Sequence, residues 1–132
     1  MPLGILTRMS ATLPTARRVA LWIPCADPAA SERFYTALCG APVERSGGFV
    51  MYHLADTALW LQERYVKDWA ENQVLYVAVE SADAWHAHLE SLRPDFPDLR
   101  VEGPVDRPWG HRVTTTWDPA GVLLHFASPL PG

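Results

Sequence analysis

The hydrophobic and polar positions of this chain fall into short runs of two kinds. Arg17–Cys25, RRVALWIPC, alternates apolar and aromatic residues with others at the two-residue period of a strand. Asp27 follows as a helix N-cap residue, with Pro28 at the first helical position. Ala30, Phe34, Ala37 and Leu38 then recur at helical spacing, and Gly40 closes the helix. Pro42–Arg45, Gly48–Leu54 and Thr57–Glu63 read as three short strands joined by turns at SGG and AD.

The second half repeats the plan. Gln73–Glu80, QVLYVAVE, reads as a strand. Ser81 caps a helix whose apolar residues Trp85, Leu89 and Leu92 share one face, and Pro94 ends it. A strand near Leu99–Glu102 lies within a proline-bearing loop region, Asp95–Trp109. Arg112–Trp117 and Val122–Ala127 complete the set. Both halves therefore read β-α-β-β-β. A duplication of this size implies two modules packed as a pair, each unable to bury its sheet alone. The expected organisation is an N-terminal arm at 1–16 and one domain at 17–128, with modules at 17–66 and 73–128.

The stretch WDPAGVLLHFA, Trp117–Ala127, raises a chemical question. Asp118-Pro119-Ala120-Gly121 is a turn, and the strand after it is apolar except for His125. That lone imidazole has several readings: a metal ligand, a base, a hydrogen-bonding anchor for a ligand, or a polar group satisfied by a neighbouring strand.

Composition narrows the choice. With 132 residues, 48% of them hydrophobic, the chain can bury one real core. No apolar run approaches the roughly 18 residues that cross a bilayer, and no basic segment precedes the short apolar patch at the N-terminus. A cytoplasmic protein without a membrane partner is expected. A net charge of −4 without a basic stripe excludes nucleic acid as the expected partner. Cys25 and Cys39 lack metal or redox spacing and read as buried thiols. Six tryptophans are more than one small core usually absorbs, which points to a flat ligand or a partner surface. Leu3, Ile5 and Leu6 give the arm an apolar side, which predicts packing on a sheet edge or on the second subunit of a homodimer.

The repeated β-α-β-β-β order, DPAASERFYTALCGAPV after the first strand, and PWGHRVTTTWDPAGVLLHFA near the end resemble the vicinal oxygen chelate superfamily. That group includes glyoxalase I, extradiol dioxygenases and bleomycin-resistance-type proteins. The resemblance covers about residues 17–128. It implies an α+β fold: two βαβββ modules forming a cup-shaped, eight-stranded mixed sheet with helices outside, commonly dimeric, with the ligand in the cup.

It also implies where metal ligands would stand, on the first and last strands of each module. Counting from Asp27, Ser81 and the DPAG turn gives Ala20, Gln62, Val74 and His125. Alanine and valine cannot ligate, and one amide with one imidazole is too few donors for a catalytic divalent ion. No metal, cofactor or catalytic residue is therefore expected.

By the same strand parity the cup is lined by Ala20, Trp22, Pro24, Trp60, Gln62, Val74, Tyr76, Leu123 and His125. Met51 or Tyr52 joins from the first middle strand, and Thr115 with Trp117, or Thr114 with Thr116, from its counterpart; Trp109 sits in the loop before it. The expected ligand-binding set is Trp22, Met51, Tyr52, Trp60, Gln62, Tyr76, Trp109, Thr115, Trp117 and His125. Arg112 reads as a rim charge or as the partner of Asp118 or Glu63. An aromatic cavity with a few polar tips is the signature of a small-molecule site. The favoured function is sequestration of an aromatic natural product such as an antibiotic, conferring resistance. The competing readings are a metal-dependent lyase, isomerase or dioxygenase of the same fold, and a dimeric interaction module.

Overall fold

The computed structural model describes residues 13–131. The arm residues Leu3, Ile5 and Leu6, and the packing expected of them, lie outside the described residues. The elements in chain order are β1 (Ala20–Pro24), α1 (Pro28–Cys39), β2 (Glu44–Ser46), β3 (Phe49–Leu54), β4 (Thr57–Gln62), α2 (Lys67–Asn72), β5 (Val74–Ala78), α3 (Ala82–Ser91), β6 (Val101–Asp106), β7 (His111–Trp117) and β8 (Leu123–Pro129).

The eight strands form two four-stranded mixed sheets of identical topology, β1-β4-β3-β2 and β5-β8-β7-β6. In each, the first strand pairs parallel with the last and the remaining pairs are antiparallel. This is the βαβββ module stated twice, with the helix crossing over to return the chain parallel.

Both crossover helices start at the expected caps. The Asp27 carboxylate accepts the Ala30 N–H at 3.3 Å, and the Ser81 hydroxyl accepts the Ala84 N–H at 3.0 Å. Helix α1 ends at Gly40, whose φ of 95° lies where side-chain-bearing residues are strained. The helix buries Ser31, Phe34, Tyr35 and Leu38, one stripe at helical spacing. On α3, Leu89 is fully buried and Trp85 stacks flat on Phe126 of β8, with ring centroids 4.3 Å apart and planes 9° apart.

The helix-facing sides of the two sheets meet in one core. It joins Ile23, Leu59, Leu61, Val50 and Tyr52 of the first module to Leu75, Val122, Leu124 and Phe126 of the second. Polar ties cross the same boundary. The Tyr35 hydroxyl donates to Asp118 at 2.7 Å, and His88 Nε2 lies 3.1 Å from the carbonyls of Ala37 and Leu38. Asp118 Oδ1 accepts the N–H groups of Ala120 and Val122, so the turn before β8 is built around a buried carboxylate.

Three expectations need correcting. The strand expected near Leu99–Glu102 is β6, which starts at Val101, runs to Asp106 and carries an irregularity between Glu102 and Val105. Gly103 and Pro104 are tolerated there because β6 is an edge strand. The short helix α2 was not anticipated, because KDWAEN has no extended apolar stripe. Arg112 pairs with neither Asp118 nor Glu63. Its guanidinium bonds Asp106 at 2.7 Å and Asp83 at 3.0 Å, tying the β6–β7 hairpin to α3.

Candidate ligand-binding site

Each sheet keeps one face turned away from the shared core, and the strand registers fix what stands on it. In the first sheet Trp22 is level with Trp60, Pro24 with Gln62, and Met51 with Trp60. The period of two then puts Ala20, Trp22, Phe49, Met51, Trp60 and Gln62 on one open face. In the second sheet Val74 is level with Leu123, Tyr76 with His125, Thr115 with His125, and Trp117 with Leu123. Those residues share the other open face.

Module one presents an aromatic surface. Trp22 and Trp60 stack with centroids 5.8 Å apart, and Phe49 meets Trp22 edge-on at 5.1 Å. Trp22 remains 49% exposed, a large apolar area for a side chain held in a strand. Module two presents aromatics with polar tips. The Tyr76 and His125 rings are 5.9 Å apart, edge to face. Trp109, at the tip of the β6–β7 hairpin, reaches back so that its indole N–H lies 3.4 Å from the Tyr76 hydroxyl. Tyr76 is 53% and Trp109 60% exposed.

His125 Nδ1 lies 2.8 Å from the Thr115 hydroxyl. This is the neighbouring-strand contact allowed for in the sequence, and Nε2 has no hydrogen-bond partner among the described residues. Burial, and then the charge of Arg107, pull the imidazole below the ordinary histidine range, so it is neutral near pH 7. Neither thiol belongs here. Cys25 is buried in the core, and burial pushes Cys39 up to about 11.

The expected residues thus stand in two groups, Trp22, Met51, Trp60 and Gln62 on the open face of one sheet and Tyr76, Trp109, Thr115, Trp117 and His125 at that of the other. Tyr52 is not among them. It is level with core-facing Leu59 and fully buried, and its hydroxyl lies 2.8 Å from the Thr36 hydroxyl. Of the alternatives left open, Met51 rather than Tyr52 takes the open face. Thr115 and Trp117 do so rather than Thr114 and Thr116, whose hydroxyls donate to the carbonyls of Ala82 and Arg100. Trp117 is already covered on one side by the Arg100 guanidinium, 3.7 Å from its ring centroid. Phe49 was overlooked, although its place two residues before Met51 marks it.

The donor set does not fit a metal of the family type. Ala20, Gln62, Val74 and His125 stand on the open faces of β1, β4, β5 and β8, and two of the four have no donor atom. Among the described residues, no three His, Cys, Asp or Glu side chains converge to hold an ion. No described helix is long and apolar enough to cross a membrane.

No protein-family model matches the sequence, and no curated protein matches it. Solved structures do match in shape. TnmS3, an antibiotic binding protein from Streptomyces sp. CB03234, superposes with a TM-score of 0.70 at 22% identity, over 89% of this chain and 98% of that one. The fold is that of the vicinal oxygen chelate proteins. A bleomycin-binding protein solved with bleomycin matches with a TM-score of 0.68 at 19% identity, over 86% and 98% of the chains. Lactoylglutathione lyase from Agrobacterium tumefaciens matches with a TM-score of 0.64 at 18% identity, over 87% and 95%. The fold thus joins this chain to binders and to enzymes alike, and function has to be argued from the site.

Proposed function

We propose that this chain is a metal-free binding protein that sequesters an aromatic, largely apolar small molecule such as an antibiotic, in the cytoplasm, and does so as a homodimer. The observation that carries this reading is the pair of open aromatic faces, Trp22–Trp60–Phe49 on one sheet and Tyr76–His125–Trp109 on the other. Both belong to sheets whose opposite faces are committed to the core, so within one chain neither covers the other. A second copy that lays its module two over module one closes two equivalent cups around a twofold axis.

The energetics favour such a ligand. A planar molecule burying roughly 300 Å² of apolar surface gains about 7 kcal/mol before ordering costs, and each good aromatic pair adds about 1 kcal/mol. Micromolar affinity corresponds to about 8 kcal/mol, within reach without a metal. His125 Nε2 and the Gln62 amide supply orientation. The test is quenching of tryptophan fluorescence by a panel of planar polycyclic antibiotics. Saturable quenching at micromolar concentration, unchanged by chelator, supports the reading. A chelator-sensitive turnover of any of them favours the enzyme instead.

A further inference from the structure

The open face of module two carries a concentration of hydrogen-bond donors, and the carboxylate on that face, Glu102, is already paired with Arg100. We infer that the ligand is an aromatic anion, a planar ring system bearing an ionised carboxylate or acidic phenol, whose oxygen is received by Arg107, His125 and Tyr76. This rests on the proposed binding function and names its ligand class.

The hairpin Arg107-Pro108-Trp109-Gly110 positions the cation. Arg107 N–H donates to the His111 carbonyl at 2.7 Å, and Gly110 N–H donates to the Arg107 carbonyl at 3.1 Å, closing a tight turn. Gly110 takes a φ of 87°, and its carbonyl accepts the Leu130 N–H at 2.9 Å, anchoring the tip to the end of β8. The Arg107 guanidinium lies 5.9 Å from the Trp109 ring centroid and forms no ion pair among the described residues. Its sequence neighbour Asp106 is bound to Arg112. Glu102, level with Thr115 on the same face, is bound to Arg100 at 2.7 Å. Glu44, the acid level with Met51, lies on the outermost strand of the other sheet. Among the described residues Arg107 is therefore a cation without a counter-ion, in a protein of net charge −4.

The neutral groups nearby also face outward as donors. Tyr76 accepts the Trp109 indole N–H, which leaves its own O–H to donate. When the Thr115 hydroxyl donates to His125 Nδ1, Nε2 carries the hydrogen, and an oxyanion ligand selects that tautomer. Two neutral donors and a guanidinium around one aromatic wall suit an oxyanion and leave a cation without an acceptor.

The test uses one ring system with three charges: anthracene-9-carboxylate, 9-anthracenemethanol and 9-(aminomethyl)anthracene, titrated calorimetrically into the full-length protein at low salt. The carboxylate is expected to bind at least about tenfold more tightly than the alcohol, with the ammonium weakest. In R107Q, with folding checked by thermal melting, that advantage collapses to less than about threefold, while R107K retains part of it. Equal binding of carboxylate and alcohol, or an undiminished preference in R107Q, overturns the inference alone. Failure of all three probes to bind overturns the aromatic-site reading beneath it as well.

Discussion

Replacing Tyr35 by Phe removes one oxygen from the boundary between the modules and leaves the ring packing in place. Tyr35 is fully buried on α1, and its hydroxyl donates to Asp118 Oδ2 at 2.7 Å. Both side chains are buried, so Oδ2 is left without that donor, while Oδ1 keeps its two backbone N–H groups. A hydrogen bond to a charged group contributes about 1.5–3 kcal/mol, so Y35F should lose about 2 kcal/mol at pH 7, a fall in Tm of roughly 6–10 °C. The pH dependence carries more information. Burial raises the Asp118 carboxyl above its ordinary value, opposed by the Tyr35 hydrogen bond and the backbone N–H groups of the turn. A carboxyl raised on folding binds its proton more tightly in the native state, so its contribution to stability declines as pH rises from about 4 through the folded value. Loss of the Tyr35 hydroxyl raises that value further. The difference between wild type and Y35F should therefore be largest near pH 7 and shrink near pH 4. Urea unfolding followed by circular dichroism at the two pH values measures it. A loss below about 0.5 kcal/mol at pH 7, or one that is the same at both pH values, refutes the claim that a charged Asp118 is held across the module boundary.

Further outcomes separate site from scaffold. Ala at Trp22 or Trp60 should weaken binding of a planar antibiotic by roughly 1–4 kcal/mol, and His125→Ala by about 1–3 kcal/mol, read by calorimetry. Trp85→Ala should instead cost a few kcal/mol of stability through the cavity left beside Phe126, with affinity of the folded protein nearly intact. Tyr52→Phe, removing a hydroxyl bonded to Thr36 in the core, should lower the melting temperature and leave affinity unchanged. Protein purified without added metal should contain well under one equivalent of Fe, Zn, Ni or Mn by mass spectrometry, since two of the four family positions are Ala20 and Val74.

Strand parity was the most legible property of the sequence, because a period of two admits only one alternative and a single anchor fixes it. The DPAG turn fixed His125 outward and Leu124 and Phe126 inward, and Asp27 did the same for Trp22 against Ile23. Parity stayed undecided where no anchor was near. Met51 and Tyr52 are both compatible with a strand, and the choice comes from the register of β3 on β4. Long-range partners were not legible either. Arg112 finds Asp83 and Asp106 because the β6–β7 hairpin folds against α3, an approach no local spacing encodes. The same holds for Arg107 and Trp109, whose placement depends on the turn joining β6 to β7. The edge strand β6 was displaced because glycine and proline read as breakers, although an edge tolerates both.

In the proposed dimer, module one of one chain and module two of another form each site, and a dimer of two different variants distinguishes this from a site within one chain. Trp22→Ala impairs module one, and His125→Ala impairs module two. Each variant alone should show only weakened sites, and none of wild-type affinity, for a planar antibiotic that saturates the wild type. Co-expressed and purified as a random mixture, about half the dimers pair one variant with the other, and each such dimer holds one site with both halves intact. Titration should then recover about a quarter of the wild-type binding capacity at wild-type affinity. No recovered capacity from a mixture shown by mass spectrometry to contain the mixed dimer would mean that each site is built within one chain, contradicting the account.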